Sequence, residues 1–256
     1  MNTFRSIAVL LCAASLAACE KNAVQDITGT LPSAKVRFFN FGVGAPGVNF
    51  YANTSKMTAI TSATGAESVT GVVYGGVGSG GFYAGIQPGT YSLEGKISAT
   101  VDKDLTISRV NTTLADGKTY SFYQSGFYDG TAKSVDAFVV EDPYEANIDF
   151  SVAYVRFVNA ISNSQPMTLY AKNTTTLAEV PLGGLVAYKS AGAFTAIPNG
   201  VYDIGARIAG GTTNNIARTA VSFSAGRVYT IGARGDMTIT STTATNRPFL
   251  DNTANR

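Results

Sequence analysis

The segment Ala34-Lys-Val-Arg-Phe-Phe-Asn40 alternates in character: Val36, Phe38 and Asn40 share one side of an extended chain, and Lys35, Arg37 and Phe39 share the other. A period of two with one apolar face predicts a half-buried strand. Similar short runs predict further strands at Val48–Ala52, Val69–Tyr74, Gly81–Ala84, Thr90–Ile97, Leu105–Thr112, Thr119–Gln124 and Val135–Val140. Turn signals separate them, among them Pro88-Gly89, Asp116-Gly117 and Asp129-Gly130. After Cys19, no window of about 11 or more residues carries a convincing helical period. Short strands broken at such intervals predict a sandwich or a barrel.

The pattern occurs twice. Ala34-Lys-Val-Arg-Phe-Phe-Asn40 matches Ala153-Tyr-Val-Arg-Phe-Val-Asn159, and at the same offset Phe50-Tyr51-Ala52 matches Leu169-Tyr170-Ala171. Further on, Ile86-Gln-Pro-Gly-Thr-Tyr91 matches Ile197-Pro-Asn-Gly-Val-Tyr202, and Leu114-Ala-Asp-Gly-Lys-Thr-Tyr120 matches Phe223-Ser-Ala-Gly-Arg-Val-Tyr229. The offset shrinks along the chain, as loops of unequal length between shared strands require. So long a period excludes a solenoid and predicts two copies of one domain. Tyr120 and Tyr229 each open a strand just after a glycine turn. This placement resembles the tyrosine corner of immunoglobulin-like domains, in which the hydroxyl bonds nearby backbone.

The start of the chain reads as a targeting segment. Met1–Arg5 is weakly basic, and the apolar stretch Ser6–Ala18 is too short to span a bilayer as a helix. It ends in Leu16-Ala17-Ala18-Cys19, which resembles a bacterial lipobox. That resemblance implies cleavage before Cys19 and acylation of its sulfur. Two or more chains make such an anchor stable. Cys12 would leave with the signal, and no disulfide could then form. Glu20 is not the aspartate associated with inner-membrane retention, so an exported protein on the outer membrane is expected.

The paired blocks A-x-V-R-F-x-N, [FL]-Y-A, P-G-x-Y and G-[KR]-x-Y are similar to those of a bacterial family titled domain of unknown function four-three-nine-seven. The likeness runs from about Ala34 to Thr240. It implies an all-β fold of two tandem immunoglobulin-like β-sandwich domains in a secreted or lipid-anchored protein, and it supplies no catalytic residue. The expected organisation is a signal peptide over 1–18, a lipidated cysteine and polar tether over 19–33, and a first sandwich over 34–140. An acidic linker over 141–149, a second sandwich over 150–241 with a last strand near Met237–Thr240, and a polar tail over 242–256 follow.

Composition narrows the chemistry. Charged residues are 14% of the chain and the formal net charge is +2, so nothing points to nucleic acid. There is no histidine, which removes the commonest general base and metal ligand. Gly76-Val-Gly-Ser-Gly-Gly81 fits G-x-G-x-x-G, but Phe82-Tyr-Ala-Gly-Ile-Gln-Pro88 after it is no helix. Without a helix N-terminus the pyrophosphate has no seat, so a strand-to-strand turn is expected and no nucleotide. Asp102 and Asp104 are the closest carboxylate pair outside the linker that a hydrolase could use, and they read as an exposed turn. Glu141, Asp142, Glu145 and Asp149 are a weak candidate for calcium, with a solvated linker the plainer reading. Tyr123, Phe127 and Tyr128 could stack a glycan or pack against the neighbouring domain. The expected function is a non-catalytic cell-envelope lipoprotein serving as a binding, adhesion or structural module, with no cofactor. The membrane is met through lipid on Cys19, and a protein or glycan partner is left open.

Overall fold

The computed structural model describes residues 32–58, 69–144 and 147–255. The first half contains strands β1 (Ala34–Asn40), β2 (Val48–Ala52), β3 (Ser55–Lys56), β4 (Gly76–Val77), β5 (Ala84–Ile86), β6 (Gly89–Ile97), β7 (Thr106–Leu114), β8 (Thr119–Asp129) and β9 (Ser134–Glu141). The second contains β10 (Val152–Asn159), β11 (Met167–Asn173), β12 (Glu179–Val186), β13 (Ser190–Ala191), β14 (Thr195–Pro198), β15 (Gly200–Ile208), β16 (Ile216–Phe223), β17 (Val228–Arg234) and β18 (Phe249–Ala254). The protein is all-β, and among the described residues no α-helix forms.

Each half is two sheets. In the first, β4-β1-β8-β9 with β5 also on β1 faces β3-β2-β6-β7. In the second, β13-β10-β17-β18 with β14 also on β10 faces β12-β11-β15-β16. The strand order is the same in both. The opening strand pairs in parallel with the strand that opens on the repeated tyrosine: Val36 lies beside Tyr120, and Val155 beside Tyr229.

The inner faces form two cores. Phe38 stacks on Phe50 with ring centroids 5.1 Å apart, and Phe122 leans on both. Each such side chain buried from water stabilises the fold by roughly 1.5–3 kcal/mol. The second core gathers Phe157, Leu169, Ile204, Phe223 and Ile231. The repeated tyrosines tie the turns. Tyr120 Oη accepts from Ala115 N at 3.1 Å, and Tyr229 Oη from Ser224 N at 3.0 Å. Gly117 and Gly226 in those turns have φ of 67° and 69°, where a side chain would be strained. Tyr91 and Tyr202 act similarly, each donating its hydroxyl to the carbonyl four residues upstream, Gln87 O and Pro198 O.

Three expectations are corrected. The polar tail over 242–256 is not a tail throughout, because Phe249–Ala254 is the edge strand β18, with Leu250 fully buried. No strand forms at Met237–Thr240, which turns about Asp236. Val69–Tyr74 makes only an isolated bridge, Val72 to Val48.

The third core lies between the halves. It joins Phe39, Phe41, Tyr123 and Phe138 of the first half to Val158 and Ala160 of the second. The outward face of β1 and β8 is therefore covered by the other sandwich, and β8 is buried at every position from Thr119 to Gly126. Gly232 of β17 makes room for this contact. A Cβ there would sit 2.9 Å from Phe41 Cε2.

Candidate functional site at the junction of the sandwiches

The most concentrated polar chemistry in the described residues sits at the edge of this third core. Arg37 and Arg156, equivalent residues of β1 and β10, are both 1% exposed. Strand pleating sends both side chains to the outward faces, where the two halves meet. Arg37 Nη1 donates to Ala254 O at 3.0 Å and Gly81 O at 3.1 Å, and Arg37 Nη2 donates to Asn255 Oδ1 at 2.7 Å and Tyr83 Oη at 2.8 Å. Arg156 Nη1 donates to Glu141 O at 2.8 Å, Nη2 is ion-paired with Asp142, and Nε donates to Thr230 Oγ1 at 3.1 Å.

The arrangement is reciprocal. Asp142 follows β9 and Asn255 follows β18, and each backbone N–H bonds the start of the neighbouring strand, Thr119 O and Val228 O at 2.7 Å. Each arginine therefore holds the C-terminal end of the other half's junction-facing sheet. Tyr83 and Phe194 are likewise equivalent, each just before the strand that pairs with the opening strand. Arg37 lies 4.2 Å from the Tyr83 ring centroid and Arg156 4.8 Å from that of Phe194. The halves meet about an approximate two-fold axis, as in an isologous dimer interface.

Asp142 is the centre of the network. Its Oδ2 accepts from Tyr83 Oη at 2.5 Å and from Ser121 Oγ at 2.7 Å. Tyr144 Oη donates to Tyr83 Oη. Burial, with Asp142 adding to it, drives the Tyr83 hydroxyl far above the usual phenol range, and the same causes push Tyr144 up to about 12. These tyrosines are neutral donors at any physiological pH.

A second polar seam closes the far side. Tyr188 Oη meets Ser125 Oγ at 3.0 Å and donates to Asp136 Oδ2 at 3.1 Å, while Lys189 pairs with Asp136 at 2.6 Å. Opposite, Arg234 pairs with Asp251 at 2.5 Å and lies 4.9 Å from the Tyr74 ring centroid.

The residues singled out from sequence are dispersed by this geometry. Tyr123 is not a surface residue: it is fully buried between Phe39 and Phe138, with centroids 4.6 and 5.1 Å away. Tyr128 packs partly against the first core, and Phe127 alone of the three is exposed, at 46%. They form no common platform. The four acids of the linker are divided as well. Glu141 pairs with Lys118 at 3.0 Å, Asp142 is buried on Arg156, and Asp149 accepts from Ser151 N at 2.8 Å. Glu145 lies outside the described residues. The solvated acidic linker is thus corrected at Asp142, which is 2% exposed. Among the described residues no group of three acidic or sulfur side chains converges as a metal site. Asp102 and Asp104 occupy an exposed turn with φ of 57° and 63°, Asp102 pairing with Lys133 at 2.6 Å. Cys19 lies outside the described residues.

Gly76–Gly81 runs from β4 into a tight turn in which Ser79 and Gly80 are left-handed, at φ of 52° and 65°. Its counterpart in the second half begins at Ser190, because Gly76 pairs with Asn40 and Ser190 with Asn159. Sequence reasoning passed over Arg37, Arg156 and Tyr83. The available signal was the arginine shared by both copies on a face that also carries Phe39 and Tyr123.

Residues 153–255 match the model of a family described as Domain of unknown function (DUF4397). No curated protein matches the chain. Among solved structures the chain is similar to "The Bacillus anthracis TIE protein", at 14% identity and a TM-score of 0.23. The alignment covers 81% of this chain and 34% of that one, so the chain spans about a third of that protein's length. The family match runs through β18, in keeping with the place of that strand in the second sandwich. The matched residues, 153–255, are those of the second sandwich with its closing strand.

Proposed function

We propose that this protein is a non-catalytic cell-envelope module, carried on the membrane by lipid on Cys19, whose two sandwiches act as one rigid body. The observation that carries the reading is the reciprocal hold of Arg37 on Ala254 and Asn255 and of Arg156 on Glu141 and Asp142. Interfaces between domains of one chain are commonly polar and permit relative motion. This one has an aromatic core closed by buried charge-assisted hydrogen bonds, which favours a fixed spacing between the two ends. The buried polar residues shared by the copies are engaged in architecture. Arg37 and Arg156 join the halves, and Asn40 and Asn159 bond the turns that follow their strands through Gly42 N and Ile161 N. A rigid module suits display or spacing of a binding surface above a membrane.

Fractionation tests the anchoring. The wild-type protein is expected in the membrane fraction with acyl chains on Cys19, and Cys19→Ser in the soluble fraction. Membrane retention of the serine variant sinks the lipid-anchor reading. Crosslinking on intact cells followed by mass spectrometry identifies what the module touches. Turnover of an ester, peptide or glycoside that is lost on changing Asp102 or Asp104 would instead establish a hydrolase.

A further inference from the structure

The two guanidiniums at the junction are unequally matched. Arg156 meets the carboxylate of Asp142, whereas at the equivalent place Arg37 meets the amide oxygen of Asn255. The remaining described acceptors of Arg37 are two carbonyls and the Tyr83 hydroxyl, all neutral, and its Nε has no hydrogen-bond partner among the described residues. Among the described residues Asp142 reaches Arg37 only through Tyr83, so that two buried guanidiniums share one described carboxylate. A cation taken out of water without an anion is costly, and the surplus charge raises the potential of the nearest open space.

That space is a cleft of about 550 Å³ between the halves. Gly81 and Ala254, whose carbonyls Arg37 holds, belong to its two walls. Arg227 lines it and has no acidic partner among the described residues. At its mouth the Phe82 ring is 77% exposed, among the most exposed large apolar side chains of the described residues. We propose that this cleft binds an acidic sugar, a uronate-type residue of a polysaccharide. Arg227 takes the carboxylate, the Arg37 charge beneath it reinforces the attraction, and Phe82 stacks on the sugar face.

An acidic peptide strand fits less well. It would add to the edge of β18, where the carbonyls of Leu250 and Ala254 are already occupied by Arg218 Nη1 and Arg37 Nη1. Capped acceptors leave that edge poor in the backbone partners that strand addition needs. The inference names a ligand that the proposed function leaves open. Its test reads binding in solution, so it succeeds or fails independently of Cys19.

The full chain is titrated calorimetrically with trigalacturonate, with neutral galactotriose and with a hexaglutamate peptide. Trigalacturonate is expected to bind, with galactotriose at least about tenfold weaker because the charge contact is lost. Arg227→Gln and Phe82→Ala are each expected to weaken trigalacturonate about tenfold while leaving the thermal midpoint unchanged, since neither side chain is buried. Absence of trigalacturonate binding, equal affinity for galactotriose, or indifference to both substitutions overturns the site. Hexaglutamate binding as tightly as trigalacturonate overturns the assignment to a sugar.

Discussion

Arg156 of the second sandwich and Asp142 of the first form an ion pair in which both side chains are essentially sealed from water, at 1% and 0% exposure. The pair sits where the chain passes from one sandwich to the other. It makes the connecting segment part of the interface rather than a tether. Removing one member of such a pair strands the other charge in a low-dielectric site, and that penalty outweighs the attraction lost.

Asp142→Asn is therefore expected to destabilise the protein by about 3–5 kcal/mol, as a buried charge is left unmatched. Asp142→Leu combined with Arg156→Met removes both charges and is expected to recover much of the loss. Urea unfolding of both variants checks this. Equal losses for the single and double variants would show that the network owes little to the pairing of charge.

Much of the first half was legible in residues 34–40. Val36 and Phe38 point into the first core as their alternation predicts, and the repeated Tyr120 and Tyr229 bond backbone as a tyrosine corner predicts. What alternation could not show is what covers the other face. Lys35 is exposed and Arg37 is sealed, although both lie on that face of the same strand. A period of two separates faces and says nothing of a second domain resting on one of them. Phe39 and Tyr123 on the outward side were the available hint. The strand β18 was missed because Phe249-Leu-Asp-Asn-Thr-Ala254 is half polar with no alternation, and an edge strand with one covered face needs few apolar residues.

Tyr123 and Phe127 lie in the same strand and should respond oppositely to truncation. Tyr123→Ala opens a cavity between Phe39 and Phe138 and is expected to cost about 3–5 kcal/mol. Phe127→Ala removes a ring that is 46% exposed. It is expected to cost at most about 1 kcal/mol, near the range of surface substitutions. Chemical denaturation of the two variants decides between an interface and a surface role for this aromatic run. Similar costs would contradict the placement of Tyr123.

Gly232 tests the junction from the other side. The added Cβ of Gly232→Ala meets the Phe41 ring at 2.9 Å, a contact that either shifts Phe41 or pushes the sandwiches apart. Overpacking of this kind typically costs about 1–3 kcal/mol. Phe41→Leu, which replaces the ring with a shorter branched chain, is expected to relieve part of that cost in the double variant. The check is a double-mutant cycle in urea. Strict additivity would mean the two residues do not press on one another.

The distal sheets carry part of the acid dependence. Hydrogen bonds from Arg207 hold the Glu179 carboxyl below the usual value of 4.5. At Glu94 burial works upward, but Lys96 and Arg109 together outweigh it and the carboxyl again lies low. A carboxyl with a folded pKa below its unfolded one binds fewer protons when folded. Its stabilising effect is complete above the unfolded value and disappears as pH falls through the folded one. Stability is thus expected to be flat in this respect from neutral pH to about 5 and to decline below the ordinary carboxylate range. The Glu179 share of the decline should be modest, because a pair this open to solvent is worth about 0–1 kcal/mol and is screened by salt, whereas Glu94 is buried. Glu179→Gln should flatten part of the acid limb when urea midpoints are compared between pH 7 and pH 3 at low ionic strength. An acid limb of unchanged steepness in that variant would mean that Glu179 contributes nothing to it.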